Sequence, residues 1–258
     1  MQEIIFFDID GTLLDSDFHI DPTTLQALMC LKENGHILCI ATGRSYDSLL
    51  RTPILDVIKW DGILCNNGQL ALDQNKNILF KATIPHESAK TFLDIAAQKN
   101  YPVVVKCKDR FISQKADDNT IAVHKHFNNQ IPPVGKLTNQ EVEAMNIYAP
   151  KSETYQDFLH IEGIDIIPCA LNYAEVSPKG VSKASSIDYL LKHYGFTSFI
   201  AFGDSPNDLK MLQKARISIV MGQSIQEVKN EATFITKPLN QEGILHACKY
   251  LHLLKEGK

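Results

Sequence analysis

The sequence predicts an α/β protein: a core of parallel strands with helices on its faces, interrupted by an inserted α+β domain. Three observations carry this reading. Short apolar runs alternate with helix-period segments over the first quarter of the 258 residues, the pattern of a parallel sheet covered on both faces. The alternation stops after about Thr83, where short polar segments mix with both signals, and resumes after Pro178. Hydrophobic residues make up 44% of the chain and charged residues 22%, which supplies ample core and excludes disorder, collagen and coiled coil.

Taken in order, Ile4-Ile5-Phe6-Phe7 is a short strand of the doubly buried kind, broken by Asp-Gly-Thr. Pro22 to Asn34 has helical spacing (Leu25, Leu28, Met29, Leu31), with Asp21 as N-cap and Gly35 as stop. Ile37 to Ala41 is a second strand, ending at Thr-Gly-Arg, and Ser45 to Leu50 begins a helix. Ile63 to Cys65 is a third strand, followed by the tight-turn signal Asn66-Asn67-Gly68. The middle carries a helix over His86 to Lys99, a strand at Val103 to Val105, a helix over Ser152 to His160 and a strand at Ile164 to Ile167. After Pro178 come a helix (Val181 to His193), a strand (Phe199 to Phe202), a helix (Pro206 to Lys214), a strand (Ile217 to Met221), a helix (Ile225 to Asn230) and the strand Phe234-Ile235. There is no internal repeat.

Thirty acidic residues against 26 basic give a net charge of −4, so no broad basic field exists to hold a nucleic-acid backbone. The N-terminus lacks a basic start and its apolar run stops at Asp8, so no signal peptide is expected. No apolar stretch approaches the roughly 20 residues that span a bilayer. The six cysteines form no CxxC pair and read as reduced, mostly buried thiols of a cytoplasmic protein.

Four clusters sit where strands end, the place where open α/β sheets bind ligands. In Asp8-Ile9-Asp10-Gly11-Thr12, two carboxylates two residues apart at a strand end face one side, about 6 to 7 Å apart. They repel unless a cation lies near, and a hard divalent ion suits them; alone, the run is equally a polar turn. An EF-hand does not fit, since its glycine and closing glutamate are missing. Thr42-Gly43-Arg44 offers a hydroxyl, close backbone approach and a following helix, an anion-binding corner, although most Thr-Gly pairs after strands are turns. In Ser177 to Lys183, Ser182 can cap a helix. That puts Lys183 in the first turn, unfavourable to the helix dipole unless an anion lies there; Lys179 reads as a solvated surface lysine. Gly203-Asp204-Ser205-Pro206-Asn207-Asp208 is a second oxygen-rich cluster; an Asx-turn with Pro206 opening a helix accounts for part of it.

Asp8-Ile-Asp10-Gly-Thr-Leu, Thr42-Gly-Arg44, Lys183 and Gly203-Asp204-Ser-Pro-Asn207-Asp208 resemble, in order and spacing, the four motifs of the haloacid dehalogenase (HAD) superfamily. Asn66-Asn67-Gly68, Pro-Lys-Gly-Val-Ser-Lys and Asn240-Gln-Glu-Gly243-Ile resemble its Cof-like phosphatases. The resemblance runs through most of 1–82 and 175–245; the inserted segment matches in size and placement only. It implies a Rossmann-like core over 1–82 and 179–258 with an α+β cap domain at 83–178. It also implies a Mg2+-dependent phosphatase acting on a small phosphomonoester, a sugar phosphate or a cofactor phosphate such as FMN or PLP. Asp8 would be the nucleophile, forming an aspartyl-phosphate, and Asp10 the acid and then the base. Dehalogenases of the superfamily lack the second Asp, so Asp10 argues against that chemistry. Mg2+ would bind the Asp8 carboxylate, the Asp10 backbone carbonyl and the Asp204 carboxylate, with Asp208 binding through water or orienting Lys183. Thr42 and Asn207, with backbone amides near Ile9 and Gly43, would hold the phosphoryl oxygens.

A phosphate dianion beside Asp8 and Asp10 is repelled by about 4 kcal/mol per charge pair at about 4 Å and an effective dielectric of about 20. Mg2+ and Lys183 would supply three positive charges against this, the main catalytic effect. The cap would close over the site and read the leaving group, with Lys106, Lys108, Arg110, His124, His126, Asn172 and Glu175 as candidates. On a strand, His124-Lys-His126 would point two imidazoles one way. The rival readings are a phosphomutase using the same intermediate and a non-enzymatic phosphate-binding module. The latter is expected to lose Asp8, Asp10 or Lys183, and all three are present. The expected partner is a small phosphorylated metabolite, with no nucleic acid and no membrane; the expected assembly is a monomer or weak homodimer.

Overall fold

In the computed structural model, which describes residues 2–127, 129–169 and 171–254, the strands of the first segment are β1 (Ile4–Phe7), β2 (Ile37–Ala41), β3 (Gly62–Cys65), β4 (Leu70–Asp73) and β5 (Ile78–Lys81). The middle carries β6 (Val103–Lys106), β7 (Phe111–Ile112), β8 (Ala144–Ile147), β9 (Ile164–Pro168) and β10 (Ala174–Pro178). The last segment carries β11 (Ile200–Gly203), β12 (Ile217–Val220) and β13 (Phe234–Ile235). The helices are α1 (Pro22–Glu33), α2 (Tyr46–Leu49), α3 (Ile54–Val57), α4 (His86–Gln98), α5 (Asp118–His126), α6 (Lys183–Tyr194), α7 (Leu209–Lys214), α8 (Gln226–Lys229) and α9 (Gly243–Tyr250). Contacts divide the chain into two compact units, Met1–Lys81 with Ser182–Lys258, and Ala82–Val181.

The first unit is built on a sheet of order β13-β12-β11-β1-β2-β3-β4-β5. From β13 to β3 all neighbours are parallel. Alternation along β1 sends Ile5 and Phe7 to the layer holding Leu28 and Leu31 of α1 and Ala247 and Cys248 of α9. Ile4 and Phe6 go to the layer holding Ile187 and Leu190 of α6 and Met211 and Leu212 of α7. Phe7 pairs with both Ile40 and Phe202, and the Phe7 and Phe202 rings stack at 4.7 Å. Burying such a side chain contributes about 1.5–3 kcal/mol, so the ends of β1, β2 and β11 are firmly anchored. The chain winds one way from β1 to β3 and the other way from β11 to β13, and such a reversal opens a crevice at the carboxyl ends of the central strands.

Local signals set the helix ends. Asp21 accepts the N–H of Thr23 at 2.8 Å to start α1 behind Pro22, and Gly35 (φ 81) follows its end. Ser182 and Ser185 form a reciprocal cap on α6, which ends at Gly195 (φ 76).

Two departures from the sequence reading have local causes. The sheet is mixed, because Asn66, Asn67 and Gly68 all take positive φ (50, 53 and 97°) and fold the chain back, so that β4 runs antiparallel to β3 and β5 to β4. The helix expected over Ser152 to His160 is absent: only a 3-10 turn forms, Gln156–Phe158. The Glu153 carboxylate accepts the N–H of Tyr155 at 2.7 Å and Tyr155 takes φ 58, a side-chain-to-backbone bond that competes with helix.

The second unit is an antiparallel sheet of order β7-β6-β8-β10-β9. One face packs on α4 through Phe92, Val105, Met145 and Val176. The other meets α5 through Val104, Ile112, Val123 and Tyr148. All six cysteines are thiols. Among the described residues, no helix is long and apolar enough to cross a membrane.

Candidate active site

Asp8 is the first residue past β1, and its N–H still donates to Phe202 O at 3.0 Å, so the parallel ladder fixes its backbone. The residue is 4% exposed. Lys183 opens α6 and is 1% exposed; its Nζ donates to Asp8 Oδ1 at 2.6 Å and to Asp208 Oδ1 at 2.7 Å. These carboxylates are the anions that reconcile a lysine with a helix N-terminus. The other Asp208 oxygen accepts the N–H groups of Asp204 and Ser205, both at 3.1 Å, so Asp208 ties the loop after β11 to α6. Thr12 Oγ1 donates to Asp204 Oδ1 at 2.9 Å.

Two glycines make room for this cluster. A Cβ on Gly11 (φ 87) would lie 2.8 Å from Asp204 Cγ, and one on Gly203 would lie 2.8 Å from Asp208 Cγ, closer than any side chain allows.

One carboxylate oxygen each of Asp8, Asp204 and Asp208 lies within 4.8 Å of the others. Burial raises the Asp8 carboxyl to about 8, against the pull of Lys183 and with the Asp208 charge adding to it. Burial likewise raises Asp204 to about 6. Burial works to lower the Lys183 ammonium, but Asp8 and Asp208 outweigh it and raise it to about 12. Two buried carboxylates and a half-buried one around one ammonium form an anionic surplus of oxygen donors, the donor set of a hard divalent cation. The residues present therefore fit Mg2+.

A thermodynamic consequence follows. Between about pH 4 and 8 the folded, metal-free protein holds protons on Asp8 and Asp204 that the unfolded chain has released, so its stability is expected to fall as pH rises through that window. Mg2+ bound by these carboxylates would displace those protons, so it should raise the melting temperature more at pH 8 than at pH 5. Thermal unfolding at both values, with and without Mg2+, checks this; metal-free stability that rises between them refutes it.

Thr42 ends β2. It is fully buried, its N–H donates to Leu64 O at 2.9 Å and its Oγ1 accepts the N–H of Arg44 at 3.1 Å. The Asn67 N–H donates to Thr42 O at 3.0 Å, and Asn207 Nδ2 donates to Asn67 Oδ1 at 3.3 Å. Gly43 faces both amides: a Cβ there would lie 3.1 Å from Asn67 Oδ1 and 3.5 Å from Asn207 Nδ2. Ile9 is buried, its carbonyl accepting the N–H groups of Thr12, Leu13 and Leu14.

The structure thus brings Asp8, Lys183, Asp204 and Asp208 together and gathers Thr42, Gly43 and Asn207 around Asn67. The Asp10 side chain lies outside the carboxylate cluster, exposed and paired with Arg44. Thr12, Arg44 and Asn67 were not singled out from the sequence. Each sits inside a motif that was, but spacing alone does not reveal where a side chain points.

In the second unit, strand register places Lys106, Asn146 and Glu175 on one sheet face. Burial lowers the Lys106 ammonium, with the Glu175 charge opposing. Lys108, Arg110 and Asn172 are exposed. His124 and His126 do not share a face. They lie two apart on the helix α5 rather than on a strand, so the 3.6-residue period turns them apart. His124 is buried against the Tyr148 hydroxyl at 2.9 Å, and His126 is exposed.

The sequence matches the family model for haloacid dehalogenase-like hydrolases over residues 5–248. YkrA of Bacillus subtilis (strain 168), whose name suggests a phosphatase, is 31% identical over 98% of this chain and 99% of its own. YitU of the same organism, named as the phosphatase of 5-amino-6-(5-phospho-D-ribitylamino)uracil, is 29% identical, covering 95% of this chain and 96% of its own. The solved structure of BT4131, described as a HAD subclass IIB sugar phosphatase, superposes with a TM-score of 0.79 at 28% identity, covering 98% of this chain and all of that one. The chain belongs to the haloacid dehalogenase-like hydrolase family.

Proposed function

We propose that this hydrolase is a Mg2+-dependent phosphatase that cleaves a small phosphomonoester through an aspartyl-phosphate on Asp8. The observation that carries the reading is a buried carboxylate held 2.6 Å from a buried lysine inside a three-carboxylate cluster at the sheet's crevice. An Asp8 oxygen attacks phosphorus and the ester oxygen leaves, taking a proton from Asp10. A water that gives its proton to Asp10 then attacks the acyl phosphate, releasing inorganic phosphate and restoring Asp8. Lys183 balances charge on the phosphoryl oxygens, while Thr42, Asn207 and the amides near Ile9 and Gly43 hold them. Mg2+, held by Asp8, Asp204 and the Asp10 backbone carbonyl, with Asp208 beside it, would supply the remaining positive charge. YitU and BT4131 are named for a ribityl phosphate and for sugar phosphates, which supports a sugar- or polyol-like leaving group. Residues of the 83–178 segment, Lys106 and Glu175 first, would select it. The six thiols favour a reducing compartment, the cytoplasm.

Phosphate release from para-nitrophenyl phosphate and a panel of small phosphomonoesters tests this. Release is expected with Mg2+, falling by more than about 100-fold in EDTA, the several kcal/mol a catalytic cation supplies. An isomerised sugar phosphate without inorganic phosphate would establish a mutase instead, and no release from any compound would defeat the assignment.

A further inference from the structure

Arg44 holds Asp10 through both carboxylate oxygens. Nε donates to Oδ2 at 2.7 Å and Nη2 to Oδ1 at 2.5 Å, the two-pronged geometry of the strong arginine–carboxylate pairs. The arginine is braced by the donation of its N–H to Thr42 Oγ1 at 3.1 Å and of Nη1 to Ser48 Oγ at 3.4 Å. The ring of Phe18 lies 4.9 Å from its Cζ. Phe18 is 49% exposed and takes φ 61, in a turn where Asp15 Oδ1 accepts the N–H groups of Asp17 and His19 at 2.9 and 2.8 Å. An exposed ring in a disfavoured backbone conformation, laid over a guanidinium, is an arrangement core packing does not require.

The proposed reaction needs Asp10 in another state. To protonate the leaving oxygen, Asp10 must present an O–H, whereas a guanidinium carries donors only. A protonated oxygen facing Nε or Nη2 finds no acceptor, so the two-pronged contact must open before Asp10 acts as an acid. A phosphoryl dianion accepts the same two-pronged contact, and Arg44 directly follows Thr42-Gly43, the corner assigned to the phosphoryl oxygens. We infer that Arg44 is a positioning residue that latches Asp10 in the resting enzyme and passes its guanidinium to the phosphoryl group of an arriving substrate, releasing Asp10 toward the leaving group. The acid–base residue is thereby armed only when a phosphoryl group is present. This rests on the role given to Asp10 under Proposed function.

Crystals of the native chain with Mg2+ alone, and with Mg2+ and orthovanadate, read the exchange directly. The expected result is a closed Arg44–Asp10 pair without vanadate. With it, guanidinium N–H groups should lie on vanadate oxygens and Asp10 beyond about 3.5 Å from them. A pair that stays closed over bound vanadate, or vanadate that does not bind or does not touch Arg44, overturns the inference. In solution, Arg44→Gln should raise KM about tenfold on both para-nitrophenyl phosphate and glycerol 1-phosphate, with Arg44→Lys raising it less and any change in kcat alike on the two esters, as expected for a contact to the phosphoryl group that both share. A kcat loss much larger for the alkyl ester, whose leaving oxygen most needs a proton, would make Arg44 a standing support of Asp10 and defeat the exchange, as would unchanged KM. Native enzyme that releases no phosphate counts against the phosphatase reading; native enzyme that does, with Arg44 variants behaving otherwise than stated, counts against the latch alone.

Discussion

The Asp8→Asn variant is expected to lose phosphate release by at least about 10^4-fold, the scale on which removal of a nucleophile acts, while its metal-free form at pH 8 is at least as stable as the native protein. The two halves have one cause. The Asp8 carboxylate is the atom group that forms the new bond to phosphorus, and an amide cannot replace it. The same group is buried so deeply that burial raises it to about 8 despite Lys183, so its ionised form opposes folding above the ordinary carboxylate range. An amide of the same shape removes that charge and keeps an oxygen for Lys183 Nζ, which retains Asp208 at 2.7 Å. Phosphate release with Mg2+ and urea unfolding without it measure the two halves. Residual turnover above about 1% of native would remove Asp8 from the nucleophile's role. A clear drop in metal-free stability would show that the Asp8–Lys183 pair outweighs desolvation.

The Lys183→Met variant should be the most damaging to the fold itself. Methionine fills a similar volume, but Asp8 and Asp208 are left buried without the cation that both contact. Breaking a buried ion pair from one side costs about 3–5 kcal/mol. The loss should depend on pH in a definite direction. Without the ammonium, which pulls the Asp8 carboxyl down from where burial would put it, Asp8 holds its proton more tightly still in the folded state than in the unfolded chain. The penalty is therefore smallest at acid pH and grows as pH rises to about 8 and beyond. Urea unfolding at pH 5 and pH 8 should show a larger loss at pH 8. A difference below about 1 kcal/mol at pH 8 would mean that other donors carry these carboxylates. Phosphate release should fall by about 10^2 to 10^3-fold, the effect of removing one preorganised positive contact from the transferring group.

What could be read from the sequence was what neighbours along the chain decide. β1, β2, β3, β11 and β12 announce themselves because a strand buried on both faces must be apolar throughout, and the Asp21 and Ser182 caps because capping reaches only a few residues. The carboxylates and the lysine of the site were legible as motifs at strand ends, in order. Their meeting was not: Lys183 lies 175 residues from Asp8, and only the register of β1 against β11 and the seat of α6 bring them to 2.6 Å. The reversal at Asn66 to Gly68, which turns β4 and β5 antiparallel, hangs on backbone angles that those residues permit but do not compel. The failed helix at 152–160 was lost to one carboxylate choosing a nearby N–H, and His124 and His126 parted because their segment is helical. Asp10 turning to Arg44, 34 residues on, is the clearest case. Composition, periodicity and capping are local properties, so the sequence alone determined most of the element types and the chemistry on offer. Side-chain direction and long-range pairing depend on register and loop conformation, which only the assembled tertiary structure decides.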